Sequence, residues 1–276
     1  MTFYNRTRTS RSIPERLIKE RRFHLLPLYY LLMTSNLARE GVAGSASYTF
    51  ADHVYGARPA GRWGIGYLLD AAMLHTRSAR AMRHRWTAAR DEIVRYVQGS
   101  TAPSLRVLAV PCGLARELFA ADRVLAGDET AQRSRVEWYG VDADSQLIES
   151  LQARAVSGPE RFVFQVGDAF DESSYDSGLF SIILSTGFTE FLEDSQVLAF
   201  FRLLRSKLSR DGILITAALG RDGFSDYLLR NLGEIHTNYR PPAAILRLID
   251  EAGFDSRRWY RDATGLQTVV VARAVP

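Results

Sequence analysis

Two hydrophobic rhythms divide the chain. In its first hundred positions apolar residues return every three or four places. Between Trp63 and Val97 the series Ile65, Leu68, Leu69, Ala72, Met73, Ala79, Met82, Trp86, Ala89, Ile93 and Val97 gives the single stripe of an amphipathic helix. An earlier helix is expected from Pro14 to about Arg39, interrupted at Pro27, whose ring removes a donor from the helical ladder. Ser45 to Trp63 reads as an aromatic loop carrying Tyr48, Phe50, His53 and Tyr55. Gly99 to Pro103 is a linker-like run with little capacity for regular structure. Beyond it the rhythm changes to short apolar blocks rich in β-branched and aromatic residues, the pattern of strands buried on both faces by crossover helices. The chain therefore predicts a helical region over 1–100 and an α/β domain over 101–276.

Within the α/β part, VLAVPCGLA, WYGVDAD and FVFQVGDAFD each end an apolar block in small or acidic residues. In an open parallel sheet, ligands bind outside the carboxyl ends of the strands, where loops and helix N-termini line a crevice. A fourth strand is expected at Leu179–Leu184, opening into Ser185, Thr186 and Gly187. A helix follows at Gln196–Leu208 and a fifth strand at Gly212–Leu219, then a helix at Pro241–Ala252. Two last strands, Ser256–Arg261 and Gln267–Arg273, are joined by the turn Asp262–Gly265.

These residues resemble the class I S-adenosylmethionine-dependent methyltransferases. Val107 to Ala115 is similar to their first motif, VLDxGCGxG, with Ala109, Pro111 and Ala115 in place of the usual acid and two glycines. Gly140-Val141-Asp142 resembles the second motif and Gly167-Asp168-Ala169-Phe170 the third. The resemblance implies a Rossmann-like, doubly wound, mostly parallel seven-stranded sheet with an antiparallel C-terminal strand. It also implies S-adenosyl-L-methionine as cofactor, held by Val110, Pro111, Cys112, Gly113, Asp142, Ala143, Asp168, Ala169, Ser185 and Thr186. Asp142 would hold the ribose hydroxyls, with Asp144 as its rival, which could instead cap the next helix. Asp168 would meet the adenine amine or serve as a turn acid. The loop after the fourth strand would contact the acceptor, which singles out Thr186, Gly187 and Glu190; an added N-terminal region would form a lid.

Catalysis of methyl transfer asks for alignment and exclusion of water, with a base only where the acceptor loses a proton. Glu190, His53 and Tyr48 are the candidates; Tyr29, Tyr48, His53 and Tyr55 are those for enclosing an apolar or aromatic acceptor in the lid, with His24, His75 and His236 behind them. The five histidines show no paired metal-ligand spacing, so no metal is expected. Cys112, the single cysteine, leaves no internal disulfide and reads as a packing residue in the cofactor turn.

Composition narrows this further. A 46% hydrophobic content over 276 residues can bury a substantial core. No stretch approaches the ~20 apolar residues that span a bilayer. The start imitates a secretory signal, but Pro27 and His24 interrupt its apolar part and no cleavage site follows promptly, so the expectation is a retained, cytoplasmic protein. Net charge is +4, and Arg6, Arg8, Arg11, Arg16, Lys19, Arg21 and Arg22 crowd the start. Methyl transfer to a small-molecule acceptor, a biosynthetic intermediate or lipid-like compound methylated on O, N or C, is the leading expectation. An RNA or DNA methyltransferase is the alternative suggested by the arginines, although STGF stands where an NPPY-like tetrapeptide would be. A non-catalytic cofactor-fold protein is the third.

Overall fold

The computed structural model describes residues 12–44, 48–127, 135–156, 161–233 and 235–275. Arg6, Arg8 and Arg11 lie outside the described residues. The chain divides into two units, Met1–Arg83 with Arg221–Thr237, and His84–Gly220 with Asn238–Pro276.

The first unit is helical: α1 (Ile13–Lys19), α2 (Leu25–Leu32), α3 (Asn36–Gly44), α4 (Tyr48–Gly56), α5 (Trp63–Leu74) and the first turns of α6 (Arg77–Gly99). Ser12 caps α1 by accepting from the Glu15 amide, and Pro14 sits in its first turn, where no N–H is needed. The expected helix over Pro14–Arg39 is three helices, and Pro27 does not break it. Pro27 lies in the first turn of α2, where the amide has no helical partner in any case. The breaks fall instead at Glu20–His24, where Arg21 takes a left-handed φ of 58°, and at Met33–Ser35. The long stripe also divides, because Thr76 Oγ1 accepts from the Ala79 amide and starts a new helix. The aromatic segment expected as loop is helical over Tyr48–Gly56; alternating Tyr48, Phe50 and Tyr55 hid a helix whose Val54 packs with Leu37, Leu74 and Ala79.

A second cluster joins Ile13, Leu17, Leu25, Leu32 and Ala38 to Leu232, so the later segment is part of this unit's core. Asp70 is fully buried and accepts from the Ser35 hydroxyl, the Leu37 amide and the Ala60 amide, tying α3, α5 and the segment before α5 together. Where α5 meets the end of α2, a Cβ on Gly66 would lie 2.2 Å from the Thr34 carbonyl oxygen, a contact only glycine permits.

The second unit is a sheet of β1 (Leu105–Ala109), β2 (Val136–Asp142), β3 (Phe162–Val166), β4 (Phe180–Ser185), β5 (Leu208–Leu219), β6 (Phe254–Arg261) and β7 (Gln267–Ala274). Its order is β3-β2-β1-β4-β5-β7-β6. The first five strands are parallel, and β7 runs antiparallel to both β5 and β6, as the sequence predicts. Helices α7 (Arg116–Ala126), α8 (Ser145–Val156) and α9 (Asp194–Ser206) cross between parallel strands; α10 (Gly223–Leu228) belongs to the first unit and α11 (Pro242–Glu251) precedes β6. Phe180, Phe200, Phe201, Leu214, Ile249 and Val270 lie in one continuous core cluster. Among the described residues no helix is long and apolar enough to cross a membrane.

Candidate functional site

The strand order reverses between β1 and β4, and the residues expected to hold the cofactor follow the carboxyl ends of β1, β2, β3 and β4. The chain leaving β1 is fastened on both sides: the Val110 amide donates to the Leu184 carbonyl at 2.9 Å and the Cys112 amide to the Val141 carbonyl at 2.8 Å. Gly113 follows with φ 48°, and a Cβ there would meet nothing within 4 Å, so the backbone lies open at this turn. Ala115, the N-terminal boundary of α7, takes φ 49° and ψ 31°, the left-handed region usually left to glycine. Helix α7 begins at Arg116, so its amino end directly follows the Gly113 turn.

Asp142 ends β2 and is buried. Its Oδ2 accepts from the Gly113 amide at 2.9 Å and its Oδ1 from the Asp144 amide at 3.1 Å. Burial raises its carboxyl above the usual range, and the two amides oppose that only in part. A carboxylate has about four acceptor positions, so this acid can fix the loop and still receive a diol. Asp144 instead accepts from the Leu147 amide at 3.0 Å and caps α8. Ala143 lies between them in the turn. Cys112 is buried, and burial, then the Asp142 charge, hold its thiol well above the usual range, which suits packing and not nucleophilic attack.

Asp168, after β3, is exposed; its Oδ1 accepts from the Phe170 amide at 2.9 Å, and its own amide donates to Ser174 Oγ. Ala169 is buried and its carbonyl accepts from the Tyr175 hydroxyl at 2.5 Å. Ser185 is buried at the end of β4 with no hydrogen-bond partner for its hydroxyl among the described residues, and Thr186 follows it.

The loop after β4 carries a group that the sequence reading saw only in part. Glu190 is buried, and its Oε1 lies 3.1 Å from Nη1 of Arg85, itself buried. Gly187 makes room for this pair: its φ is 80°, and a Cβ would come within 2.7 Å of the guanidinium. Glu117, in the first turn of α7, is buried in the same neighbourhood. Burial raises its carboxyl, opposed by its own backbone amide, Arg85 and Arg116. Oε2 of Glu190 is buried without a hydrogen-bond partner among the described residues. The backbone here is rigidly held. Arg240 donates to the carbonyls of Thr189 and Leu192 at 2.6 Å each, and the Asn238 amide donates to the Glu190 carbonyl at 2.7 Å. Glu190 is thus a buried ion-pair partner in the first turn of a 3-10 helix.

Arg85 and Glu117 were missed, although the signal was present for Arg85. Ala81, Arg85 and Ala89 are all buried at four-residue steps, so an arginine occupies the apolar stripe itself. His53 and Tyr48 are on α4, which belongs to the first unit. There His53 Nδ1 is 2.9 Å from Glu40 Oε2 and Nε2 is 2.9 Å from the Arg58 carbonyl oxygen, so both ring nitrogens are engaged within that unit.

No protein-family model and no curated protein matches the chain. Solved structures do. A possible exported protein from Bordetella parapertussis is similar over 96% of this chain and 98% of its own, with a TM-score of 0.70 and 18% identity. Magnesium protoporphyrin IX methyltransferase (ChlM) from Synechocystis PCC 6803, crystallised with S-adenosylhomocysteine, covers 82% of this chain and 94% of its own at a TM-score of 0.55 and 15% identity. The glycopeptide N-methyltransferase MtfA covers 69% of this chain and 90% of its own, with a TM-score of 0.52 and 14% identity. The chain has the class I methyltransferase fold. The β3-β2-β1-β4-β5-β7-β6 order of the sheet is the architecture that the sequence resemblance implied.

Proposed function

We propose that the protein binds S-adenosylmethionine at the Gly113–Asp142 edge of the sheet and transfers its methyl group to a small molecule. The observation that carries this reading is the convergence of an open glycine turn, a helix N-terminus and a buried acid with acceptor capacity to spare at the strand-order switch. These features fit the group. The amides at the start of α7 suit its carboxylate, Asp142 suits the ribose hydroxyls, and Asp168 with Ala169 suits the adenine end. Val110 through Cys112, Ala143, Ser185 and Thr186 would complete the lining. The solved relatives named for methyl transfer, ChlM and MtfA, support the reading through their shared fold.

When bound, the cofactor supplies a sulfonium methyl that is already electrophilic. The chain's own contribution is to place the acceptor and exclude water. Glu190, with one oxygen held by Arg85 and the other uncommitted, is suited to accept a hydrogen bond or a proton from an acceptor hydroxyl or amine. A small acceptor is favoured over nucleic acid because the unit carrying the site holds 20 arginines and lysines against 23 acids, the wrong balance for tracking phosphates. Ala109, Pro111 and Ala115, in place of the motif's acid and two glycines, favour the other reading, a non-catalytic binding protein. A cofactor found within the cell suits a cytoplasmic location, whereas the name of the Bordetella protein speaks of export.

Calorimetry with S-adenosylmethionine and S-adenosylhomocysteine is the test. Asp142→Ala should weaken binding by about 1–3 kcal/mol, the usual cost of leaving polar groups without a charged partner. Unchanged affinity in the folded variant would remove Asp142 from the site, and no binding by the parent protein would end the proposal. Binding without turnover on any acceptor, in a chain indifferent to Glu190→Gln, would favour the non-catalytic reading.

A further inference from the structure

The helical unit has two features that the methyltransferase reading does not use. The first is its surface. Helix α5 contains one charged residue, Asp70, and that residue is buried, so its outward face is uncharged from end to end. Trp63, Ile65, Tyr67 and Leu68 on that helix are 51–79% exposed. Helix α2 contains no charged residue at all and presents Tyr30 and Leu31, with Phe23 just before it, at 41–61% exposure. The two helices adjoin: the Arg62 amide donates to the Thr34 carbonyl at 2.9 Å, and Gly66 packs on the same carbonyl. Large exposed apolar patches of this kind mark interaction surfaces.

The second feature is charge. The stretches making up this unit hold 15 arginines and lysines against 8 acids, a surplus of seven in a chain whose net charge is +4. Lys19, Arg21 and Arg22 stand directly before α2, and Arg58 and Arg62 directly before α5, all exposed. Basic residues thus flank the amino ends of two uncharged, aromatic-rich helices.

We infer that α2 and α5 form a monotopic docking surface for an anionic lipid bilayer. The aliphatic and aromatic side chains would enter the boundary between headgroups and acyl chains, and the flanking cations would meet the headgroup charge. Trp and Tyr suit that depth because each pairs an apolar ring with a polar edge. A nucleic-acid partner would meet the cations but leave Ile65, Leu68 and Leu31 facing a phosphate backbone, and a second copy would bring the same seven-charge surplus against itself.

Flotation of the full-length protein with vesicles of phosphatidylcholine, and of phosphatidylcholine mixed with phosphatidylglycerol, tests this. The expected result is selective flotation with the anionic vesicles, weakened by salt. Trp63→Ser with Leu68→Ser should lower partitioning by roughly tenfold or more, and Arg21→Gln with Arg58→Gln by a similar factor. All four positions are exposed, so an unchanged melting midpoint would show that these variants still fold. Failure of the parent protein to float would overturn the proposal. So would flotation that the Trp63/Leu68 variant leaves unchanged. A parent that stays off vesicles and elutes as a dimer, which the Trp63/Leu68 variant converts to monomer, would assign the face to a second copy.

Discussion

Ala115 holds a left-handed backbone that a side chain disfavours by about 1–2 kcal/mol. Because the turn is fixed by the Cys112 carbonyl on one side and α7 on the other, the strain is borne locally. Ala115→Gly should therefore raise stability by up to about 1 kcal/mol, read as a melting midpoint higher by roughly 2 °C. A lower midpoint would mean that the methyl group is packed too well to remove. Glu117 gives a prediction with a definite sign. Its carboxyl is raised above the ordinary 4.5 by burial, so the folded chain holds the proton more tightly than the unfolded one. Stability must then fall as pH rises from about 4.5 through the folded value. Glu117→Gln removes that slope and should be the more stable protein at neutral pH; urea midpoints of both proteins across this pH range check it.

At the scale of elements, α6 does more than cover a sheet. Its buried line Ala81, Arg85, Ala89, Glu92 carries two ionisable residues toward other elements: Arg85 to the loop after β4, and Glu92 to Tyr260 at 2.9 Å and to Arg258 on β6. Truncating one member of a buried pair strands the other charge, so Arg85→Ala should cost about 3–5 kcal/mol. Combining Arg85→Met with Glu190→Leu should recover most of that loss, because no charge is then left unpartnered. Equal losses in both variants would show that the pair acts through shape alone. Close approach constrains β2 as well. A Cβ on Gly140 would lie 2.5 Å from the Phe164 ring and 3.1 Å from Cys112 Cβ. Gly140→Ala should lower stability by about 1–3 kcal/mol through overpacking, measurable by the same denaturation.

At the scale of the molecule, the helical unit is discontinuous. Leu232, with Leu228 beside it, completes the cluster formed by Ile13, Leu17, Leu25 and Leu32, and Arg16 donates to the Asn231 carbonyl. Removing residues 1–83 alone uncovers Leu228 and Leu232, and the truncated chain should aggregate. Removing 1–83 and replacing 221–237 by a short glycine-serine link should give a monodisperse sheet domain. Size-exclusion chromatography of the two shortened proteins separates the outcomes; equal behaviour would show that the later segment needs no partner.

The sequence by itself determined the sheet. Strands buried on both faces must be short continuous apolar blocks, and their carboxyl ends must carry the polar turns, so Gly113, Asp142 and Asp168 were legible as a set. Local chemistry determined much else: Asp144 as a helix cap, and α9, α11 and the terminal hairpin to within a few residues. What the sequence left open was decided by contacts between distant residues. Pro27 could break a helix or begin one, and the turns around it chose the second. The aromatic stretch before α5 became a helix because Val54 found a core in Leu37 and Leu74. Glu190 read only as an acid in the loop after β4, and the folding of α6 beside that loop, with Gly187 leaving space, made it half of a buried ion pair. Periodicity reports which face of an element is buried; which charge waits on the other side is a property of the packed chain.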